Sequence, residues 1–351
     1  QTDAVGRKNP PAIVILSPPR SGSTLLRTML PGHAGLFAPP EMDLLSFNTL
    51  DERRAAFSGE NSFWLQGAIR AVMEARGIEV EEARRLMEAY EAQKLSTREF
   101  CRRLQEWIAP RVLVDKTPVY ALDVEILRRM ESDFREARYI HLVRHPYASV
   151  YSFIEAKLDQ IFFRYAHPFS RRALAELVWI ISHQNILAFL QSVPAERQHR
   201  IAFEQLVRDP EGSMRELCQF LGIEFHSCLV QPYDGKRMTD GIQDGVQMVG
   251  DFKFYLRDKI DPEVADRWKR FHTTDFLSDI GWDLAESLGY QRSTVDAQAT
   301  REAASSQEWR LRPVSRQSLG ELPLSFAQQR LWFLDQFEPG NSFYNIPSAV
   351  R

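Results

Sequence analysis

The first strongly apolar segment of the chain runs directly into a turn of small and hydroxylated residues. Residues 12–17 form a predicted buried strand, residues 18–23 supply an arginine, hydroxyl groups and a glycine, and residues 24–30 form a predicted helix. Backbone N–H groups and the helix dipole favour an anion at a helix N-terminus. The segment therefore predicts an α/β fold in which the first strand and helix enclose a phosphate group.

This turn differs from the loop of ordinary nucleotide triphosphatases, because it lacks the first Gly and the Lys of G-x-x-x-x-G-K-[ST]. Its Pro-Arg-Ser-Gly-Ser-Thr sequence resembles the 5′-phosphosulfate loop of sulfotransferases that use 3′-phosphoadenosine 5′-phosphosulfate (PAPS). The resemblance implies that the phosphosulfate is bound by Arg20, Ser21, Gly22, Ser23 and Thr24. A strand, turn and helix of this composition also occurs in other α/β proteins, which is the alternative.

A second motif follows the predicted strand 137–143. Arg144 stands at the end of that strand, and Ser152 lies eight residues later in the predicted helix 147–156. The same spacing occurs in the sulfotransferase motif that binds the 3′-phosphate, where the guanidinium group supplies planar, charge-assisted donors. The resemblance implies this role for Arg144 and Ser152. The alternative is a plain turn followed by a serine on the helix surface.

Two further residues match positions that perform the transfer in related enzymes. Glu41 lies twenty-one residues after Arg20 and resembles the general base of tyrosylprotein and heparan sulfotransferases. Lys116, in an Asp-Lys-Thr-Pro sequence, resembles the lysine that stabilises the transferring sulfuryl group. The resemblance implies that Arg20 is a second cation beside the transferring sulfuryl group. Small-molecule cytosolic relatives use a histidine base, so His145 and His167 remain alternatives to Glu41.

Two later segments match the same family less completely. Phe203 occupies the tyrosine position of an element that lies beside the adenine, where an aromatic ring can stack on the base. Lys253 belongs to a Gly-Asp-Phe-Lys sequence similar to part of the loop over the 3′-phosphate, although the Arg-Lys-Gly that usually opens this loop is missing. The resemblance implies cofactor contacts from Phe203 and Lys253.

The implied cofactor is PAPS, with adenosine 3′,5′-bisphosphate as its product. Transfer between two oxygens depends on positioning and on stabilising spread charge, and a sulfuryl group carries less negative charge than a phosphoryl group. No metal is expected, because the sequence has no Walker B pattern, H-E-x-x-H motif or Cys/His cluster.

Predicted strands and helices alternate along the chain in the order of βαβ units. This order predicts a P-loop nucleotide-kinase-like parallel sheet flanked by helices, from strands 12–17, 111–116 and 137–143 and helices 24–30, 119–132 and 147–156. Residues 51–110 are rich in Glu, Arg, Ala and Leu and form a predicted helical insertion. The insertion is interpreted either as a lid over the acceptor or as a decoration of the fold.

Composition indicates the size of the domain and the cellular location and partners to expect. With 44% hydrophobic residues, 351 residues suffice for one large domain, placed at 1–290. We recognise no apolar run as long as a membrane span and no signal peptide, and the three cysteines form no C-x-x-C pair, so a cytoplasmic protein without membrane contact is expected. The net charge of −3 gives no reason to expect nucleic-acid binding.

The C-terminal part has a different character. Residues 291–320 have the composition of a linker, and residues 321–351 contain Leu-Ser-Phe-Ala-Gln-Gln-Arg-Leu-Trp. This sequence resembles the opening motif of condensation domains in nonribosomal peptide synthetases. Residues 321–351 are therefore interpreted as the N-terminal edge of such a domain, although an amphipathic helix packed on the main domain is the alternative.

Together the motifs resemble a sulfotransferase domain of a polyketide or nonribosomal peptide megasynthase. The resemblance implies an acceptor hydroxyl on an acyl or peptidyl chain that is held by phosphopantetheine on an acyl carrier protein, with the adjacent synthase domains as further partners. Two other functions stay open at this point. One is a P-loop kinase that uses ATP, and the other is a non-catalytic docking module.

Overall fold

The computed structural model describes residues 7–162, 169–235, 237–242, 254–270 and 275–292. Lys253 and His167, two of the residues selected from the sequence, lie outside these ranges. So do residues 293–351, which hold most of the predicted linker and the whole predicted condensation-domain edge.

Five parallel strands form one sheet with the order β2-β3-β1-β4-β5. The strands are β1 (Ala12–Leu16), β2 (Leu36–Phe37), β3 (Val112–Lys116), β4 (Arg138–Val143) and β5 (Gln198–Ala202). The predicted α/β class with a parallel sheet is confirmed. Because all strands run the same way, the loops that follow β1, β3 and β4 emerge at one edge of the sheet.

Helices cover both faces of this sheet. Their bounds are α1 (Ser23–Met29), α2 (Leu50–Ala56), α3 (Gln66–Arg76), α4 (Val80–Ala92), α5 (Thr97–Ile108), α6 (Val124–Asp133), α7 (Pro146–Glu155), α8 (Leu158–Phe162), α9 (Arg171–Leu190), α10 (Phe203–Arg208), α11 (Pro210–Leu221) and α12 (Asp279–Ser287).

The predicted helix 119–132 is wrong at its start. Pro118–Leu122 form a 3-10 turn, and α6 begins only after Asp123. The Asp123 carboxylate accepts a hydrogen bond from the Glu125 N–H at 2.8 Å, which makes Asp123 the N-cap of the later helix.

The predicted insertion folds as the four helices α2–α5 and forms part of the core. Side chains of successive residues in β1 point to opposite faces of the sheet. Val14 belongs to one buried cluster with apolar residues of the insertion such as Val72 and Leu104, whereas Ile13 belongs to a second cluster with residues of α1 and α11 on the other face. The insertion is therefore a structural layer of the domain, which argues against the decorative interpretation. Its role as an acceptor lid stays a prediction.

Helix α9 corrects one expectation from the sequence. Its 20 residues are long and apolar enough to cross a membrane, with a mean hydropathy of 1.4 over an 18-residue window. In this fold 72% of that window is buried inside the protein. The helix packs against α6 and α7, as a core helix of a globular domain does.

Candidate active site

The loop after β1 turns sharply into α1 at Gly22. Gly22 has a φ of 89°, which residues with a side chain rarely adopt, and it precedes the first residue of α1. A Cβ atom at this position would lie 2.2 Å from Cδ2 of the Phe203 ring. Glycine thus permits both the turn and the close approach of Phe203.

Two buried serine hydroxyls belong to the same loop. Among the residues that the structure describes, the Oγ atoms of Ser17 and Ser21 are buried without a hydrogen-bond partner. Ser23 and Thr24 are also buried, in the first turn of α1. A buried hydroxyl without a partner is costly, so Ser17 and Ser21 fit a loop that receives oxygen atoms of a ligand.

Arg20, Arg144 and Ser152 are brought together from three parts of the chain. The Arg20 Nε donates a hydrogen bond to the Ser152 Oγ at 3.0 Å. Nη1 of Arg144 donates to the backbone carbonyl of Arg20 at 2.8 Å. The family resemblance implies that Arg20 binds the phosphosulfate, whereas in the structure its guanidinium group contacts the serine of the second motif.

A cleft of about 640 Å³, including its open mouth, is lined by four of the residues predicted from the sequence. Gly22, Arg144, Ser152 and Phe203 line it. The guanidinium carbon of Arg144 lies 4.5 Å from the centroid of the Phe203 ring. Several other residues that line the cleft belong to none of the sequence motifs; they are Tyr151, Tyr233, Phe254, Arg267 and Trp268.

Stacked aromatic rings form the walls of this cleft. Tyr233 and Phe254 stack with centroids 4.6 Å apart, and Trp268 stacks on His145 at 4.1 Å. Flat aromatic surfaces of this kind suit a nucleobase. Their sequence positions share no motif or period, so no signal in the sequence would have selected them.

His145, the described alternative to Glu41 as a base, is engaged in structural contacts. Its Nδ1 accepts a hydrogen bond from the Tyr147 N–H at 3.2 Å and so caps α7. Its backbone N–H donates to Glu204 at 2.9 Å, and its ring is covered by Trp268. These contacts favour a structural role for His145.

Glu41 and Lys116 form an ion pair at the same edge of the sheet. Lys116 is the last residue of β3, and its side chain is 2% exposed, whereas that of Glu41 is 14% exposed. Burial lowers the pKa of Lys116, and the charge of Glu41 opposes this change. A buried ammonium group needs such a partner, so the two side chains depend on each other.

A second layer of polar groups lies behind this pair. The Asp115 carboxylate accepts hydrogen bonds from the Thr117 hydroxyl at 3.2 Å and from the Tyr120 hydroxyl at 3.4 Å. Burial raises the pKa of Asp115 to about 6, and it does the same for the pKa of Asp43. Both carboxyl groups are thus held where their charged forms are disfavoured.

Comparison with known proteins places this site in context. A family model described as the sulfotransferase family matches residues 11–227. The structure is similar to a sulfotransferase domain from the curacin biosynthetic pathway, with a TM-score of 0.76 and 40% identity over 81% of this chain and 99% of that one. For a sulfotransferase domain from the Synechococcus PCC 7002 olefin synthase, the TM-score is 0.74 and the identity 37%, over 84% of this chain and 100% of that one.

A different kind of protein matches a short stretch at one end. A linear gramicidin synthase protein of Brevibacillus parabrevis is 64% identical over 44 residues. These residues are 12% of this chain and 1% of the synthase protein.

Proposed function

The chain belongs to the sulfotransferase family, and from this premise we propose that it moves a sulfuryl group from PAPS to a hydroxyl group on a carrier-bound acyl or peptidyl intermediate. The single observation that carries the proposal is the convergence of Arg144, Ser152 and Phe203 on one cleft beside the loop after β1. This cleft offers a cation, a hydroxyl and an aromatic face to a nucleotide. A kinase loop would instead present the lysine that is missing here.

The 3′-phosphate would be held by Arg144 and Ser152, with Arg20 close enough to contribute. A guanidinium group and a hydroxyl provide directional donors for phosphate oxygens. The adenine would lie beside Phe203, which is 4% exposed and is covered by Arg144 on one side of its ring. The unpartnered hydroxyls of Ser17 and Ser21 fit the phosphosulfate, which supplies acceptor oxygens.

In the proposed reaction the acceptor oxygen forms a bond to sulfur while the bond from sulfur to the 5′-phosphate oxygen breaks. Adenosine 3′,5′-bisphosphate leaves, and the hydroxyl proton passes to the Glu41 carboxylate. Lys116 would stabilise the charge on the sulfuryl oxygens as the bonds exchange. The ion pair of Glu41 with Lys116 supports this division of roles, because a proton acceptor and a cation lie side by side in it.

The megasynthase context rests on the relatives. Two similar domains come from a biosynthetic pathway and an olefin synthase, and a short stretch at one end of the chain is similar to a gramicidin synthase protein, which supports a peptide-synthetase neighbour. A domain in such an assembly would receive its acceptor on phosphopantetheine from an acyl carrier protein. We place this assembly in the cytoplasm, where the free thiols of Cys101, Cys218 and Cys228 would stay reduced.

Calorimetric titration with adenosine 3′,5′-bisphosphate and with ATP tests the cofactor. A sulfotransferase should bind the 3′-phosphorylated nucleotide more tightly, because Arg144 and Ser152 have no phosphate to hold when ATP is bound. Tighter binding of ATP, with phosphate transfer, would instead establish a kinase.

A second assay tests the carrier. Contacts with a carrier protein supply binding energy that helps to position the hydroxyl, so a carrier-bound hydroxyacyl group should react faster than the same group on a short thioester. Equal kcat/KM values for the two substrates would argue for a free small-molecule acceptor.

A further inference from the structure

The backbone segment that carries Glu41 is fixed by Arg53 of α2. The Arg53 side chain is 1% exposed. Its Nε donates a hydrogen bond to the Met42 carbonyl at 2.7 Å, and its Nη2 donates to the Trp64 carbonyl at 2.9 Å. A buried guanidinium group is expensive, and burial lowers the pKa of Arg53 accordingly. The charges of Asp43 and Glu91 oppose this lowering, and the hydrogen bond to Met42 fixes the backbone of the residue that follows Glu41.

Helix α3 supports the same segment from another side. A Cβ atom at Gly67 would lie 1.9 Å from the backbone oxygen of Glu41. Glycine at this position allows the helix backbone to pack directly against the backbone of Glu41. Two helices of the insertion thus contact the residue proposed as the base, or its neighbour in sequence.

Tyr120 connects this segment to the strand that carries Lys116. Its hydroxyl accepts hydrogen bonds from the N–H groups of Leu44 at 2.8 Å and Leu45 at 3.2 Å. The same hydroxyl donates to Asp115 at 3.4 Å, and Asp115 precedes Lys116. The relative position of Glu41 and Lys116 is thereby set by buried hydrogen bonds as well as by their own ion pair.

We propose that Arg53 is a positioning residue for sulfuryl transfer and that the insertion helices α2 and α3 exist in part to hold the Glu41 backbone. The inference rests on the proposed role of Glu41 as the base. Without the Arg53 guanidinium group, the Met42 carbonyl loses its hydrogen bond and the Glu41 carboxylate shifts relative to Lys116. A displacement of about 1 Å costs roughly 100-fold in rate in comparable active sites.

The test compares Arg53→Met with Arg54→Met. Arg54 is the matched control, because its side chain is 53% exposed and pairs with Glu91 instead of the Met42 carbonyl. Single-turnover sulfuryl transfer should fall by roughly 10- to 100-fold in R53M and by less than about 2-fold in R54M. The Kd of adenosine 3′,5′-bisphosphate should stay within about 3-fold in both, because Arg53 does not line the nucleotide cleft. Arg53→Lys keeps one hydrogen-bond donor but loses the planar guanidinium group that donates to two carbonyls at once. This variant should transfer at an intermediate rate.

A Glu41→Gln background separates positioning from a general structural role. If Arg53 acts through Glu41, R53M should add less than about 2-fold to the loss already caused by E41Q. A full additional loss in that background, or a folded R53M protein that transfers at the wild-type rate, would overturn the inference. Should R53M not fold, Arg53→Lys decides by the same two measurements, and Gly67→Ala applies them to the packing of α3 on Glu41.

These outcomes are distinct from failure of the proposed function. If E41Q itself transfers sulfate at the wild-type rate, the base assignment is wrong and the inference about Arg53 falls with it. If E41Q is impaired but R53M and G67A behave as R54M does, only the inference about Arg53 is wrong.

Discussion

The Lys116 ammonium group and the Glu41 carboxylate form an ion pair across 75 residues of sequence. Lys116 is held at the end of a central strand, whereas Glu41 lies on an irregular segment beside it. Removing one partner leaves the other charge unpaired in a largely buried site. Variants at this pair must therefore keep shape and hydrogen bonding as far as possible.

Glu41→Gln meets this condition, because the amide oxygen can still accept a hydrogen bond from Lys116. It removes the proposed base, so we expect the rate of sulfuryl transfer to fall by roughly 10² to 10⁴-fold. The Kd of adenosine 3′,5′-bisphosphate should change little. Single-turnover kinetics and calorimetry measure the two quantities. A near wild-type rate for E41Q, with an inactive histidine variant, would assign the base to that histidine.

Arg144→Ala tests recognition of the 3′-phosphate. Loss of a charge-assisted contact should weaken binding of adenosine 3′,5′-bisphosphate by about 1.5 to 3 kcal/mol. Adenosine 5′-phosphate is the internal control, because it lacks the 3′-phosphate but shares any effect of Arg144 on the Arg20 backbone. Equal weakening of the two nucleotides, measured by calorimetry, would rule out the proposed contact.

Gly22→Ala tests the turn between β1 and α1. The new Cβ would collide with Phe203 and require a positive φ, so the free energy of unfolding should fall by about 2 to 4 kcal/mol. Gly77→Ala is the matched control, since Gly77 also has a positive φ, of 62°, but has no atom near the added Cβ. For Gly77→Ala the free energy of unfolding should fall by only about 1 to 2 kcal/mol, and the nucleotide affinity should not change. Equal losses in urea titrations of the two variants would contradict the packing of Phe203 on Gly22.

Asp115→Asn tests the buried carboxyl behind Lys116. The folded pKa of about 6 lies above the ordinary value of 3.8, so the native state binds the proton more tightly than the unfolded chain does. This contribution to stability is complete below about pH 4 and is lost as the pH rises through 6. Between pH 4.5 and 7 the free energy of unfolding should therefore fall by about 1 to 3 kcal/mol more in the wild type than in D115N. Urea titrations across this range measure the difference, with the exposed Asp234→Asn as control. An equal fall in the free energy of unfolding of the wild type and of D115N over this pH range would contradict the prediction.

The local motifs were predictable because their geometry is set by adjacent residues. A buried strand followed by a glycine-containing turn and a helix predicts the loop at Gly22, and Arg144 follows a strand that alternation and apolar content identify. Parallel strands then bring Arg144, Ser152 and the first loop to one edge. Strand β2 was missed because two residues carry no periodic signal.

The contacts that fix the backbone at Glu41 were not predictable from adjacent residues. The helices α2 and α3 were expected from their composition, but composition does not state which backbone atoms they contact. The hydrogen bond from Arg53 to Met42 and the close packing of Gly67 on Glu41 depend on tertiary structure. The aromatic rings that line the cleft were not predictable either, because tertiary structure brings Trp268 onto His145 from a distant part of the chain.

The most direct test of sulfuryl transfer to a carrier-bound hydroxyl measures the mass of the acceptor. The protein is incubated with PAPS and a hydroxyacyl group on an acyl carrier protein, and the carrier is analysed by intact-protein mass spectrometry. We predict a gain of one SO₃ group that depends on PAPS and is strongly slowed in E41Q. No gain with PAPS on any carrier-bound hydroxyl, together with a gain of one phosphoryl group from ATP, would contradict it.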